Sequence, residues 1–374
     1  MFDDIYLNKK VLVTGHTGFK GSWLAIWLKE LGADVIGYSL DPPSLPNNFQ
    51  ATNLREKINH IHGDIRHLDH LLDVFHQYQP EIVFHLAAQS LVRLSYEEPK
   101  LTLDTNIGGT VNVLEAIRLT PSIKVVVNIT SDKCYENKEW SLGYRENDHL
   151  GGHDPYSSSK ACSELVFSSY SRSFFSKSFT RNRQIGAASV RAGNVIGGGD
   201  WGKDRLLPDC IRALNNNQSI GIRNPHGIRP WQHVLEPLSG YLWLGVLLWE
   251  CPERYSGAWN FGPEFNSHLT VAEVVKKLIQ YWGTGTWQNL PDPDALHEAK
   301  ILKLCCDKAH SELKWYSILN IEECLQMTVD WYKEYYSESQ TKNMYSYCVR
   351  QIHQYEGTAA IKRLVYAWLQ NQKT

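Results

Sequence analysis

Apolar residues along the chain fall into two rhythms. Short unbroken runs occur at Val11–Val13, in "ADVIGYSL" from Ala33, in "EIVFHLA" from Glu81 and in "KVVVNIT" from Lys124. A strand with one wet face alternates polar and apolar residues, whereas an unbroken run marks a strand covered on both faces. Between these runs, apolar positions recur three and four apart. They do so at Leu24, Trp27, Leu28 and Leu31, and again in "LDHLLDVFHQYQ", "TNIGGTVNVLEAIRL" and "SSSKACSELVFSSYS". That spacing lines one face of a helix. Strands alternating with helices predict an α/β fold on a doubly wound parallel sheet.

The second half loses this rhythm. "RAGNVIGGGDWGKDRLLPD", from Arg191, is rich enough in glycine to read as a loop rather than an element. "TVAE" at Thr270–Glu273 reads as a capping box opening an amphipathic helix.

Composition narrows the class of protein. At 374 residues the chain is long enough for two lobes, and its net charge of −2 gives no electrostatic reason to expect nucleic acid or an anionic membrane as partner. The apolar stretch Tyr241–Trp249 is too short to span a bilayer. "MFDDIYLNKK" lacks the apolar core and cleavage site of a secretory signal. Eight cysteines without a CxxC pair, two of them adjacent at Cys305 and Cys306, fit reduced thiols rather than disulfides or a zinc site. The expectation is a soluble cytoplasmic enzyme without a metal.

Two clusters carry candidate chemistry. In "KKVLVTGHTGFKGSWLAIWLKELG" a strand breaks into Gly15, Gly18 and Gly21 and then into a helix, the context of a dinucleotide fingerprint. Gly15 permits the tight turn, Gly18 a close approach to pyrophosphate, and Gly21 tight packing of the helix on the strand. The sheet is therefore expected to be Rossmann-type. The residue that usually selects the ribose falls near Ser39, which is neutral; Asp41 either reaches the ribose or shapes the turn before Pro42 and Pro43. With no arginine or lysine nearby, the cofactor expected is NAD.

The second cluster is "TSDK", Thr130–Lys133, at the end of the strand "KVVVNI", followed by Tyr156 and Lys160 one helical turn apart. An ammonium beside a phenol favours the phenolate, a base for a sugar or alcohol hydroxyl.

Together, "TGHTGFKG", "GDI" at Gly63–Ile65, "HLAAQS" at His85–Ser90, "TNIGGTVNVLEA", "TSD" and "YSSSK" resemble the extended short-chain dehydrogenase/reductases. "GYSLDPPSLPN", "QSLVRLSYEEP", "NVIGGGDWGKDRLLPD" and "RNPHGIRPWQHVLEPL" are similar to the nucleotide-sugar 4,6-dehydratases, with CDP-glucose as the implied substrate. The resemblance covers roughly residues 8–335. It implies oxidation at C4 by bound NAD, loss of water across C5 and C6, and return of the hydride to C6. It also implies a place in deoxysugar and O-antigen biosynthesis.

By the same resemblance Tyr156 takes the C4 proton with Lys160 beside it, Ser131 bonds the C4 oxygen, and Asp132 protonates the departing C6 hydroxyl. Lys133 stands where relatives carry a glutamate. It is either the C5 base or an electrostatic stabiliser of the enolate. The resemblance adds Thr17, Phe19, Asp64, Ile65, Ala87 and Ala88 to the cofactor site. Gln89, Ser90, Asn194, Arg205 and Arg229 join the substrate site, the two arginines clamping the diphosphate. Asn106 opens a helix and reads as a cap, and His233 reads as structural.

The competing functions are a UDP-N-acetylglucosamine 4,6-dehydratase, a 4-epimerase and a non-enzymatic cofactor-binding regulator. In the first, tyrosine follows Asp-Lys closely, whereas here Tyr156 lies 23 positions after Lys133; an epimerase needs no acid at Asp132; a regulator predicts a broken tyrosine–lysine pair. The implied domains are an NAD-binding Rossmann domain over 1–190 and mainly a substrate lobe over 191–374, with about 229–262 returning to the first. The helix around Tyr156 is expected either to pair across a homodimer axis or to pack on its own sheet.

Overall fold

The structure, a computed structural model, describes residues 2–176, 183–263, 268–290, 302–338, 342–362 and 364. The unbroken apolar runs form the strands of one parallel sheet. They are β1 (Lys10–Thr14), β2 (Asp34–Ser39), β3 (Asn59–His62), β4 (Ile82–His85), β5 (Val125–Ile129), β6 (Gly186–Arg191) and β7 (Gly257–Asn260). Their order is β7-β6-β5-β4-β1-β2-β3, so the winding reverses between β1 and β4. Every residue of β4, β5 and β6 is buried, as expected of strands covered on both faces.

Alternating side chains feed two cores, one on each face. Leu12, Val83 and Val126 pack with Leu71 and Phe75 of α2 (Leu68–Tyr78), Val113 and Ile117 of α3 (Gly109–Leu119) and Phe167 of α4 (Pro155–Tyr170). Val11, Val13, Phe84 and Val127 face the other way, onto Trp23 and Trp27 of α1 (Phe19–Glu30) and Leu242 of α6 (Leu235–Glu250).

The smaller layer carries α5 (Leu206–Asn215), the ribbon pairing Ile228–Pro230 with His268–Thr270, and α7 (Val271–Trp282). Thr270 and Glu273 do form the capping box of α7. The glycine-rich segment departs from the expected loop in two places. Val195–Ile196 pairs with Gln232–His233, and Leu206–Asp209 belongs to α5, because the glycines stop at Gly202 and leave "LLPDCIRAL" free to coil. Two further helices, α8 (Ile321–Tyr336) and α9 (Met344–Ile361), return to the large core. There the Trp27 indole donates to Glu356 at 2.9 Å and stacks edge-on against Tyr355. Among the described residues, no helix is long and apolar enough to cross a membrane.

Candidate active site

The carboxyl ends of β1, β4, β5 and β6 meet beside the reversal in strand order, where parallel sheets of this kind bind ligands. At the end of β1 the glycine turn is shaped by close approach. Gly15 has φ 77°, and a Cβ there would lie 2.7 Å from the Ala87 nitrogen; one on Gly21 would lie 2.1 Å from the Gly15 carbonyl oxygen. Gly18 is the N-cap of α1, and no side chain caps the helix. That leaves the N–H groups around Phe19 facing the cleft, a cradle that fits a dinucleotide pyrophosphate.

Thr17 and Ser39 share a hydroxyl–hydroxyl bond of 2.8 Å at the end of β2, with Thr17 also donating to the Leu40 carbonyl. Asp41 is 87% exposed and lies 3.7 Å from His62. Asp64 is engaged by Arg66. Burial alone would raise its carboxyl, but the bonds from Arg66 win and hold it below the usual range. Ile65 packs against Gly109, and Ala87 and Ala88 continue from β4.

The candidate reaction centre begins at the end of β5. Ser131 caps a short turn, Asp132–Cys134; its hydroxyl donates to Asp132 Oδ1 at 2.9 Å and accepts from the Lys133 N–H at 3.3 Å. Asp132 is buried, with its carboxylate on the bare Cα of Gly193, where a Cβ would fall 1.9 Å from Oδ2. Lys133 is half-buried. Opposite, Asp154 caps α4 and Pro155 opens it, and Ser95 accepts the Tyr156 backbone N–H at 3.2 Å, so the helix is fixed at the turn that carries Tyr156.

Tyr156 and Lys160 are both buried on one face of α4, but their coupling differs from that expected of their spacing. Burial pushes the phenol up to about 12; Asp132 and Asp154 add to this, while the Ser131 hydroxyl and Arg205 pull it down. The cation acting most on the phenol is therefore Arg205. The Lys160 ammonium is brought down to about 8 by burial and by Lys20, with Glu164 and Cys134 opposing.

Arg205 joins the site as expected, bonding Asp200 at 2.9 Å and the Ser90 hydroxyl at 3.1 Å. Gln89 turns back into its own loop, donating to Leu91 and Thr102 carbonyl and hydroxyl oxygens. Asn106 is not a cap. It sits inside a π-helical turn, Asp104–Gly108, accepting from the Gln89 N–H and donating to the Gln89 carbonyl and to Ser159. Asn194 adopts φ 41° and lends its carbonyl to the Gln232 N–H. Arg229 lies on the short ribbon and bonds the Ile228 carbonyl. His233 is buried edge-on to Trp23, and burial keeps its ring neutral, down to about 3.

Several residues around the centre escape a reading by motif. Lys20 lies inside the glycine fingerprint. Burial and Arg205 bring its ammonium down to about 8, while Asp132 and Asp200 draw it back up, so it faces the reaction centre. Its signal was a charge between Gly18 and Gly21, where the helix meets the cleft. Glu164, one turn past Lys160, is buried in a 2.8 Å pair with Arg191 and accepts hydroxyl bonds from Thr130 and from Ser189 at 2.7 Å. Arg191 also bonds the Tyr135 hydroxyl at 2.7 Å. This knot ties α4 to the ends of β5 and β6. Gly193 and the buried, unpartnered Tyr241 hydroxyl gave no signal at all.

A glycine cradle at a sheet's switch point, facing a buried tyrosine–lysine helix and a Ser-Asp-Lys turn, defines the dehydrogenase type of α/β enzyme. More particularly, the chain belongs to the GDP-mannose 4,6 dehydratase family, whose model matches residues 12–239. A CDP-glucose 4,6-dehydratase from Salmonella typhimurium is 51% identical over 330 residues, which cover 88% of this chain and 92% of that relative. Two solved structures share the fold. One is a dTDP-glucose 4,6-dehydratase from Streptomyces venezuelae with NAD and TYD bound, with a TM-score of 0.72 and 23% identity, covering 87% of this chain and 97% of that one. The other is a UDP-glucose 4-epimerase from Thermotoga maritima with UDP-glucose, with a TM-score of 0.72 and 21% identity, covering 88% of this chain and all of that one.

Proposed function

We propose that the chain is an NAD-dependent hydro-lyase that converts CDP-glucose to CDP-4-keto-6-deoxyglucose and water, a reaction of deoxysugar biosynthesis. The fold serves epimerases and dehydratases alike, so the observation that carries the reading is the Ser131–Asp132–Lys133 turn facing Tyr156. A buried carboxyl hydrogen-bonded to Ser131 is of use when a hydroxyl must leave, and superfluous when a hydride merely changes face. The name of the 51% identical relative supports the cytidine sugar.

When bound, NAD supplies a hydride acceptor beside C4, a positive charge near the phenol, and a donor regenerated within the cycle. The chain's own residues do the rest. Gly15, Gly18 and Gly21 let the backbone approach the pyrophosphate, and Thr17 and Ser39 line the ribose end, where the sequence next to Ser39 holds no lysine or arginine to favour a 2′-phosphate. Tyr156 takes the C4 hydroxyl proton and Ser131 holds that oxygen. With C4 a ketone, the C5 proton is acidic; Lys133 removes it while Asp132 protonates the C6 hydroxyl as it leaves. Arg205, Ser90, Asn194 and Arg229 hold the diphosphate and sugar, on a substrate lobe built from residues 206–230 and 268–290.

The chain works in the cytoplasm as a homodimer paired through α4, which leaves Leu165 59% exposed. Purified protein given CDP-glucose in deuterated water is expected to form the 4-keto-6-deoxy sugar with solvent deuterium at C5 and no net NADH. Product without C5 label overturns the elimination.

A further inference from the structure

Proton bookkeeping through this cycle leaves two side chains out of step. We propose that Ser131 restores them, as the middle of a relay from the Tyr156 phenol to the Asp132 carboxylate. The relay rests on the dehydratase reading above.

In the first step the C4 O–H bond breaks and its proton goes to Tyr156, while a hydride leaves C4. In the elimination the C5–H bond breaks, its proton going to the base at Lys133. The C6–O bond breaks with it, Asp132 giving up its proton to form water. In the last step C6 gains the hydride and C5 recovers a proton from the base. The hydride is thus returned within the cycle, and the C5 proton balances by count, the base having exchanged it with solvent. One proton is left over on Tyr156 and one is missing from Asp132. Before a second sugar can react, that proton must cross.

The geometry offers the crossing. The Ser131 hydroxyl donates to Asp132 Oδ1 at 2.9 Å, so the last leg is already assembled. The Lys133 N–H holds the Ser131 oxygen in place from behind at 3.3 Å. On the other side the same hydroxyl faces the Tyr156 phenol and pulls its pKa down, while Ser95 accepts the Tyr156 backbone N–H at 3.2 Å beside the capped start of α4. A phenol proton passes to the Ser131 oxygen as the serine proton passes to Asp132, and rotation of one hydroxyl resets the chain.

Burial makes an internal route the efficient one. Tyr156, Ser131 and Asp132 are 8%, 7% and 4% exposed, so bulk water has little access to either terminus. Gly193 closes the floor beneath Asp132, and the Tyr241 ring, buried with its hydroxyl unpartnered, lies within the field of that carboxylate.

The test is single- and multiple-turnover kinetics of Ser131→Ala and Ser131→Thr against the wild type. An acid that can be used once but not reloaded serves a single turnover, so Ser131→Ala is expected to make one equivalent of dehydrated product per site and then slow by at least about tenfold. Small buffer acids and bases should speed the slow phase in Ser131→Ala and leave the wild type unmoved. Ser131→Thr keeps a hydroxyl and should show no burst. Infrared difference spectra after one turnover supply a second readout. The protonated-carboxyl band, assigned with Asp132→Asn, should persist in the wild type and vanish in Ser131→Ala. If Ser131→Ala slows first and later turnovers equally, without buffer rescue and with the band intact, the relay is wrong and the serine only holds the C4 oxygen. A wild type that makes no dehydrated product at all overturns the function itself, a distinct result.

Discussion

A methyl group on Gly193 would have to share space with the Asp132 carboxylate, 1.9 Å away. Gly193→Ala is therefore expected to displace the acid, lowering kcat for dehydration by about a hundredfold with little change in the circular dichroism of the fold. Lys133→Met separates the two roles open to that lysine: as the base, its loss abolishes C5 exchange from the keto intermediate, measured by deuterium uptake. Lys160→Met should abolish C4 oxidation yet raise the melting temperature. The sign follows from the ammonium's being brought to about 8, below its ordinary value, by burial and Lys20. At neutral pH it is charged both folded and unfolded, and the fold bears the cost. Between about 8 and 10.5 the unfolded chain holds more protons, so this lysine makes stability rise with pH there. Ser131 with Asp132, and Tyr156 with Lys160, were legible in the sequence because covalent adjacency gathers the first pair and one helical turn the second. Lys20 and Gly193 were not, because what they touch lies on other strands.

At the scale of elements, the parallel strands could be read because burial on both faces leaves no alternation to obscure them. Leu206–Asp209 was misread for the opposite reason, since glycine composition just upstream masked the start of a strongly amphipathic α5. Asn106 looked like a cap because it precedes an apolar helix, but the amide spends its bonds on the Gln89 loop and on α4. The Glu164–Arg191 pair bears on α4 as a unit. Removing one member strands a buried charge, so Glu164→Gln should cost about 3 kcal/mol by urea denaturation. Because Glu164 also favours the charge on Lys160, the same variant should move the Lys160 titration further down, seen as an earlier loss of activity on the alkaline side of the pH profile.

For the whole molecule, the exposed Leu165 on α4 is the position where a second copy is expected to pack. Leu165→Glu should halve the mass found by sedimentation and leave the monomer folded. The doubly wound sheet was legible from pattern alone, whereas the return of α8 and α9 to the first core was not, because amphipathic helices do not declare which surface they cover.

That return has a consequence for how the chain comes into being. The underside of the helix that begins at the glycine cradle is Trp27, and its indole partner, Glu356, belongs to α9. As the polypeptide emerges from the ribosome, the sheet's first strands and their glycine turn are present early, but the indole's partners Tyr355 and Glu356 are made more than three hundred residues later. A message truncated ahead of Met344 would yield a protein with every motif of the reaction and its first helix lacking the Tyr355 and Glu356 contacts.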